Sequence, residues 1–156
     1  MTAPRLVFGW GNLSRGDDAL GPQCVERLRA GAAGERDVDF LDDYQLMVEH
    51  ALDLVGRRQV LFVDASLQAR APFEAHTVNA ARDASFSTHA MSPQALLQFY
   101  RDLQRAEPPP CTLLAIRGEH FELGAPLSAA ALAHLDAAVR WARAWLTAPL
   151  PKPAAA

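Results

Sequence analysis

The sequence lacks the features that would indicate a nucleic-acid partner, a membrane span or a disulfide framework. Its 156 residues carry a formal net charge of −3, so there is no basic surplus for nucleic-acid binding. No apolar run approaches the length of a transmembrane helix. The two cysteines, Cys24 and Cys111, form no motif and lie in apolar segments. We expect both to be reduced and buried, and we expect no nucleic-acid or membrane partner.

Signatures of several enzyme classes are also missing. Ser14, Ser66 and Ser87 lack the sequence context of a nucleophile elbow, and neither cysteine lies in one. No Asp-Thr-Gly sequence is present, which argues against a paired-aspartate protease. Gly9 and Gly11 could begin a dinucleotide-binding motif, but the third glycine of that motif would fall at Ser14. A nucleotide-binding domain is therefore a weakened alternative.

The most informative stretch lies near the start of the chain, where a short apolar strand leads through a glycine loop into a helix. Residues 6–8 predict a buried strand, and Gly9 and Gly11 predict its end. Between strand and helix lie Asp17 and Asp18, whose charges would repel a phosphate at the helix N-terminus. The loop therefore suits a cation, or one of the two acids simply caps the helix.

The rest of the chain predicts an α/β protein. Further apolar or alternating runs predict strands at residues 37–41, 59–63, 73–78 and 111–116. Helices are expected after the second strand, after Ser92 and after Ser128, and each serine is a good helix cap. About nine residues separate the third and fourth strands, too few for a parallel crossover, so strand 73–78 should be antiparallel and at an edge. The fold class is α/β, three-layer, with a mostly parallel twisted five-stranded sheet and helices on both faces.

The domain organisation expected from this pattern is simple. Residues 1–148 should form a single α/β domain, and residues 149–156 a disordered tail rich in proline and alanine. The first five residues lead directly into the first strand and leave no room for a signal peptide. We therefore expect a cytoplasmic protein.

Three residues with metal-binding side chains are placed near strand ends. Asp18 follows the first strand, Asp64 ends the third, and His89 follows the polar loop after the fourth. In a 2-1-3 strand order, Asp18 and Asp64 would face one crevice beyond the carboxyl ends of neighbouring strands. Two carboxylates and an imidazole suit a divalent transition metal and would leave coordination positions open. Taken singly, each residue is more simply a helix cap, a turn residue or a loop histidine.

The motif at residues 8–21 is the most specific part of a wider resemblance. This sequence, Phe-Gly-Trp-Gly-Asn-Leu-Ser-Arg-Gly-Asp-Asp-Ala-Leu-Gly, is similar to the opening motif of the hydrogenase maturation endopeptidases, which process the large subunit of nickel–iron hydrogenases. Residues 61–65 resemble the family's strand ending in a metal-binding aspartate. Residues 87–89 resemble its histidine block, and residues 116–128 its C-terminal region. The resemblance extends over about residues 5–146.

The resemblance implies an activity and a metal. The family makes a single cut that removes a C-terminal extension from the large-subunit precursor after nickel insertion. The metal ligands, and with them the catalytic residues, would be Asp18, Asp64 and His89. The metal would be nickel carried by the precursor, or another divalent ion held by the site that activates a water molecule. The expected partner is the hydrogenase large-subunit precursor, and we expect a monomer. The alternative is a non-catalytic, metal-dependent maturation factor that binds the precursor.

The resemblance departs from the family's pattern in one loop. Many members have an Asp-Gly-Gly-Thr-type sequence after the second strand, whereas this chain has Asp-Asp-Tyr-Gln at residues 42–45, similar to a variant subgroup. The candidate substrate-recognition residues are Asp42, Asp43, Gln45, Gly11 and Asn12. The departure leaves the identity of the hydrogenase that serves as substrate open.

Overall fold

The computed structural model describes residues 2–82 and 91–153 of the chain. The strands within these ranges are β1 (Arg5–Trp10), β2 (Val38–Asp43), β3 (Gln59–Ser66), β4 (Phe73–Val78) and β5 (Cys111–Arg117). The α-helices are α1 (Leu20–Gly31), α2 (Pro93–Gln104) and α3 (Ala129–Thr147), and two 3-10 helices span Gly16–Ala19 and Val48–Leu54. No helix in the described parts of the chain is both long and apolar enough to cross a membrane.

The strands form one five-stranded sheet in the order β2-β1-β3-β5-β4. The pairs β1–β2, β1–β3 and β3–β5 are parallel, and β4 is an antiparallel edge strand beside β5. The predicted fold class, the 2-1-3 order and the antiparallel edge strand at 73–78 are therefore confirmed. The connection before β4 forces the reversal in strand direction, because it is too short to cross back to the end of the sheet where the parallel strands begin.

Each face of the sheet is covered by a separate hydrophobic cluster. One face packs against α1 and α3, with Val7, Leu61 and Val63 of the strands among its buried residues. The other packs against α2 and the 3-10 helix Val48–Leu54, and Phe8 and Phe62 lie within it. Odd and even strand positions thus point to opposite faces, as the pleat requires. The sheet is the middle of three layers.

The two predicted helix caps are confirmed. The Ser92 side chain accepts a hydrogen bond from the Ala95 backbone N–H at 3.1 Å, and Pro93 occupies the first position of α2. The Ser128 side chain likewise accepts from the Ala131 N–H at 3.1 Å. Each bond satisfies one of the N–H groups that a helix start leaves without an internal partner.

The parallel strands extend beyond their predicted carboxyl ends, most of all β1 and β3. β1 continues through Gly9 to Trp10, and β3 continues past Val63 to Ser66, so Asp64 lies within a strand. Gly9 does not mark a turn; a Cβ atom there would lie 2.6 Å from the Gly21 carbonyl oxygen and 2.6 Å from Val25. Its function is to let α1 pack directly on β1. The sequence prediction treated Gly9 as a turn residue because the packing partner is distant in the sequence.

Both cysteines are free and buried, as expected. Burial raises the pKa of each thiol to about 12, so neither is a reactive thiolate at neutral pH. After α3, the carbonyl group of Ala148 accepts a hydrogen bond from Arg5, and that of Pro151 accepts one from Arg58 at 2.6 Å. These contacts join the chain after α3 to the amino ends of β1 and β3.

Candidate functional site

The close contact of Gly21 with two strand backbones places the start of α1 over the carboxyl ends of β1 and β3. A Cβ atom on Gly21 would lie 2.4 Å from the Trp10 carbonyl oxygen and 2.8 Å from that of Val63. No side chain fits there, so the helix backbone lies directly on the two strands. The 3-10 helix Gly16–Ala19, which carries Asp18 and precedes α1, is thereby held against β3.

Asp64 lies where β3 loses one of its two neighbours. Pairing with β1 ends at Gly9 and Val63, whereas pairing with β5 continues, with Asp64 opposite Ala115. The strand remains a strand because β5 supports it, whereas its pairing with β1 has already ended before Asp64. The half-buried carboxylate therefore lies at the carboxyl ends of β1 and β3, beside the crevice where ligands bind in open α/β sheets.

The charge of Asp18 acts on the carboxyl group of Asp64. Burial, which is the largest cause, and the negative charge of Asp18 together raise the pKa of Asp64 to about 7. Hydrogen bonds from the Ala65 backbone N–H, at 2.8 Å, and from the Trp10 side chain partly oppose that rise. Asp18 is itself half-buried, and its Oδ2 accepts a hydrogen bond from the Asn12 N–H at 2.8 Å. The structure thus brings together two of the three predicted ligands, Asp18 and Asp64.

The adjacent acids Asp17 and Asp18 have separate functions. Asp17 is fully buried and accepts hydrogen bonds from the backbone N–H groups of Glu119, His120 and Ser128, at 2.8, 3.0 and 2.8 Å. The Ser128 hydroxyl donates a further bond to it at 2.8 Å. Burial alone would raise the pKa of Asp17, but these hydrogen bonds outweigh it and lower the pKa. Asp17 anchors the β5–α3 connection, whereas Asp18 contributes its carboxylate to the candidate site.

The capping alternative for these acids is wrong. The N-cap positions of the 3-10 helix Gly16–Ala19 and of α1 are Arg15 and Ala19, and neither makes a side-chain capping hydrogen bond. Asp18 instead bonds backward to the glycine loop. Gly11 fits that loop because its φ is +150° and a Cβ atom would lie 1.9 Å from the Asp18 carbonyl oxygen. Gly11 and Asn12, predicted as substrate-recognition residues, contact Asp18 through the backbone, and their recognition role stays a prediction.

The other candidate recognition residues lie at the end of β2. Asp42 and Asp43 are its last two residues, exposed, and Gln45 follows, also exposed. Asp42 lies 3.5 Å from Arg29. The backbone of Asp43 accepts a hydrogen bond from the Gly11 N–H at 3.0 Å, which joins this segment to the glycine loop. The three residues therefore lie beside the Asp18 loop, and their role in recognition stays a prediction.

His50 is a residue of this region that the sequence pattern did not reveal. Its Nδ1 accepts a hydrogen bond from the Met47 N–H at 2.7 Å, which leaves Nε2 to donate to Asp43 Oδ2 at 3.1 Å. Its ring lies edge-on to Phe8, with 4.5 Å between ring centroids. The segment that carries it is a 3-10 helix, and the His50 side chain is largely buried. His50 thus fixes the chain after β2 to the sheet.

The third predicted ligand, His89, lies outside the described residues. The described chain resumes at Met91, whose N–H donates to the Leu46 carbonyl at 2.8 Å. Within residues 2–82 and 91–153, no group of three or more His, Cys, Asp or Glu side chains could hold a metal ion. The assignment of His89 as a ligand stays a prediction.

A cavity of about 490 Å³ lies away from this site, at the amino ends of the parallel strands. Its lining includes Arg5 and Val38 near the amino ends of β1 and β2, and Arg143 and Thr147 near the end of α3. None of the predicted ligands or recognition residues contributes to it. Its charged lining combines two arginines with Glu35 and Asp37, so it favours neither an anion nor a cation.

The sheet order and the position of the carboxylate pair define an α/β protein with the fold of the hydrogenase maturation endopeptidases. The chain is similar to the hydrogenase maturating endopeptidase HybD from E. coli, with a TM-score of 0.73, 23% identity and 91% of each chain covered. It is also similar to the [NiFe] hydrogenase maturation protease HycI from Thermococcus kodakarensis KOD1, with a TM-score of 0.69, 20% identity and 94% of each chain covered.

A third similar structure is the hydrogenase 2 maturation peptidase from Thaumarchaeota archaeon SCGC_AB-539-E09. Its TM-score is 0.66 at 24% identity, covering 92% of this chain and 97% of that one. No protein-family model and no curated protein matches the sequence. The resemblance found in the sequence motifs is therefore confirmed at the level of the fold.

Proposed function

We propose that this chain is an endopeptidase that removes the C-terminal extension of a nickel–iron hydrogenase large-subunit precursor after nickel insertion. The observation that carries the proposal is the convergence of Asp18 and Asp64 at the carboxyl edge of a sheet with the fold of several hydrogenase maturation proteases. Residues 1–148 form the peptidase domain in this proposal. The protein acts as a monomer in the cytoplasm, where the precursor is its partner.

The chemistry of the donor set supports a divalent cation between the two carboxylates. Asp18 and Asp64 are close enough for one charge to raise the pKa of the other, and Asp64 is also desolvated. A cation relieves both costs at once, because it stabilises the ionised form of each group. His89 adds a nitrogen ligand in the proposed set, and three protein ligands leave positions open.

Two sources of the metal fit these residues. In the first, nickel is part of the substrate, so Asp18 and Asp64 recognise a precursor that already contains it, and cleavage depends on nickel loading. In the second, Asp18 and Asp64 would hold a resident divalent ion, which would supply the acidification of a water molecule for attack on the peptide carbonyl. In both, the backbone N–H groups of Asn12 and Ala65 hold the two carboxylates in place.

The surface around the carboxylates suits a protein substrate. Leu13, Tyr44, Leu67 and Leu123 follow the carboxyl ends of β1, β2, β3 and β5, and each exposes more than half of its surface, from 57% to 76%. We call these four side chains the apolar rim. Exposed apolar side chains grouped around a cleft are typical of protein-binding sites. They favour a polypeptide substrate over a small polar metabolite or a nucleotide.

The test is intact mass spectrometry of a nickel-loaded large-subunit precursor incubated with the wild-type protein and with Asp64→Ala and Asp18→Ala. We expect the wild type to release one discrete C-terminal peptide, and both variants to lose this activity. Nickel-free precursor, the matched substrate control, should remain uncut. Asp102→Ala, an exposed substitution on α2, is the matched protein control and should cleave normally.

The outcomes separate the enzyme from a binding factor. An unchanged precursor mass together with a stable complex would indicate the non-catalytic maturation factor. Wild-type cleavage rates in Asp64→Ala would contradict the proposed site, although the endopeptidase activity would stand. Cleavage of nickel-free precursor at the same rate would remove nickel recognition from the proposal and leave proteolysis.

A further inference from the structure

Trp10 and Asp64 lie side by side on neighbouring strands. The last residues that pair β1 with β3 are Gly9 and Val63, and Trp10 and Asp64 are the next residue of each strand. Trp10 lies in the same buried cluster as Phe8, two residues before it, and Phe62 of that cluster is two residues before Asp64. Because side chains alternate along a strand, Trp10 and Asp64 point to the same face of the sheet.

The indole ring of Trp10 is held firmly in place. It packs edge-to-face on Phe62 with 5.7 Å between ring centroids, and it lies tilted against Phe8 at 6.1 Å. The side chain exposes only 9% of its surface. From this position its N–H is near enough to the Asp64 carboxyl group to lower the pKa of that group. The indole N–H can only donate, so any bond it makes there uses a lone pair of the carboxylate.

We propose that Trp10 is a positioning residue that, together with the Ala65 backbone N–H, orients the Asp64 carboxylate for a divalent cation. The Ala65 N–H occupies one of the roughly four lone-pair sites of the carboxylate. In the proposal the Trp10 N–H takes a second site and leaves the others for the cation and for water. Donors of this kind around metal-ligating carboxylates fix their orientation. The inference rests on the proposed function, because the cation is that of the proposed site.

Zn²⁺ is the probe for this proposal, since it is diamagnetic and binds carboxylate and imidazole ligands. The uniformly ¹⁵N-labelled full chain has three tryptophans, so three indole N–H signals are expected. Trp141→Phe and Trp145→Phe assign two of them, and the third belongs to Trp10. We expect the Trp10 signal to shift in Asp64→Ala and again when Zn²⁺ is added to the wild type. The signals of Trp141 and Trp145, on α3, should remain in place.

Calorimetric titration with Zn²⁺ then measures the effect on affinity. Trp10→Phe keeps an aromatic ring against Phe62 but removes the N–H, and we expect it to weaken Zn²⁺ binding by about tenfold. Trp141→Phe is the matched control, because Trp141 packs on Phe73 at 6.1 Å and is remote from Asp64. It should bind Zn²⁺ as the wild type does. Circular dichroism confirms that both variants are folded.

Each result decides the proposal separately from the proposed function. Equal Zn²⁺ affinity in Trp10→Phe and the wild type, or a Trp10 signal unmoved by Asp64→Ala, would overturn it even if the wild type cuts the precursor. Absence of Zn²⁺ binding by the wild type would overturn it too. If Trp10→Phe does not fold, the indole signals of the wild type and Asp64→Ala still decide. A wild type that binds Zn²⁺ through this arrangement but cuts no precursor would contradict only the endopeptidase.

Discussion

Two neighbouring aspartates illustrate how little the residue type says about function. Asp17 and Asp18 are adjacent in sequence, yet one accepts four hydrogen bonds from a distant loop and the other faces Asp64. The bonds to Asp17 lower its pKa, so it is ionised and stabilising over the ordinary pH range. Burial and the charge of Asp18 have the opposite effect on Asp64 and raise its pKa to about 7.

Replacing Asp17 should therefore cost stability. An asparagine has a single acceptor oxygen and would turn an NH₂ group toward N–H donors, so we expect Asp17→Asn to lower the free energy of unfolding by about 2–4 kcal/mol. Urea unfolding at pH 7 measures this. Asp18→Asn is the matched neighbour and should unfold close to the wild type while losing precursor cleavage. Equal stability of Asp17→Asn and the wild type would contradict the anchoring function.

Asp64 should destabilise the metal-free protein above neutral pH. Its pKa is raised from 3.8 to about 7, so between these values the native state holds a proton that the unfolded state has lost, and stability falls as pH rises. With a chelator present, Asp64→Asn should be more stable than the wild type at pH 8, by at most about 4 kcal/mol. The difference should shrink toward pH 4, as measured by urea unfolding at both pH values.

Adding Zn²⁺ at pH 8 provides the control for that prediction. The cation should stabilise the wild type, whose carboxylates can bind it, and leave Asp64→Asn much less affected. A stability difference between the two proteins that is the same at pH 4 and pH 8 would show that desolvation of the Asp64 charge is not the cause.

At the level of elements, the contact of α1 with β1 and β3 determines where Asp18 lies. The helix approaches the strands through Gly9 and Gly21, and a Cβ on Gly21 would meet two backbone carbonyl oxygens at 2.4 and 2.8 Å. Backbone atoms cannot move aside as a flexible side chain can, so the helix itself would have to shift. The site depends on this contact because Asp18 directly precedes the helix.

Gly21→Ala should therefore damage both stability and the site. We expect a loss of about 1–3 kcal/mol in the free energy of unfolding, the range for overpacked positions, and weaker Zn²⁺ binding. Gly31→Ala is the matched control in the same helix, because its Cβ would meet only the Arg143 guanidinium, at 3.3 Å. It should be neutral or stabilising, since alanine favours a helix over glycine. If both variants unfold alike, the packing contact is not what places α1.

At the scale of the whole molecule, the loops after four strands combine the carboxylate site with the apolar rim. Since β2, β1, β3 and β5 are consecutive in the sheet, about 4.8 Å apart, their loops lie side by side and can contact an extended segment of a substrate. The cavity of about 490 Å³ at the amino ends of β1 and β2 has no such association with the carboxylates. The position of the carboxylates therefore indicates the substrate side.

The apolar rim should contribute to substrate binding. Leu123, 76% exposed, loses its apolar contact surface in Leu123→Ser, and we expect kcat/KM for the nickel-loaded precursor to fall about five- to tenfold, through KM. Leu103→Ser is the matched control, since Leu103 is 51% exposed near the end of α2, outside the rim. Steady-state cleavage assays measure both. Equal losses in the two variants would argue against a specific docking surface.

The order of elements, the antiparallel edge strand and the two serine caps could be predicted from the sequence. Each of these depends on residues close together in the chain: apolar periodicity, a connection of about nine residues, and a hydroxyl three residues before its N–H donor. Interactions between residues that are close in the sequence can therefore be predicted from the sequence. The pairing of Asp18 with Asp64 was also accessible, because a 2-1-3 order makes their strands neighbours.

Which of the two adjacent acids, Asp17 and Asp18, lies in the site depends on contacts made in the folded protein. Asp17 is satisfied by Ser128, 111 residues away, and no local pattern records that contact. The same holds for Gly9, whose partner is Gly21, and for Trp10, whose neighbour Asp64 lies on another strand. Such functions depend on which backbones approach one another when the sheet and helices pack. These contacts join residues that are far apart in the sequence, so no local sequence pattern predicts them.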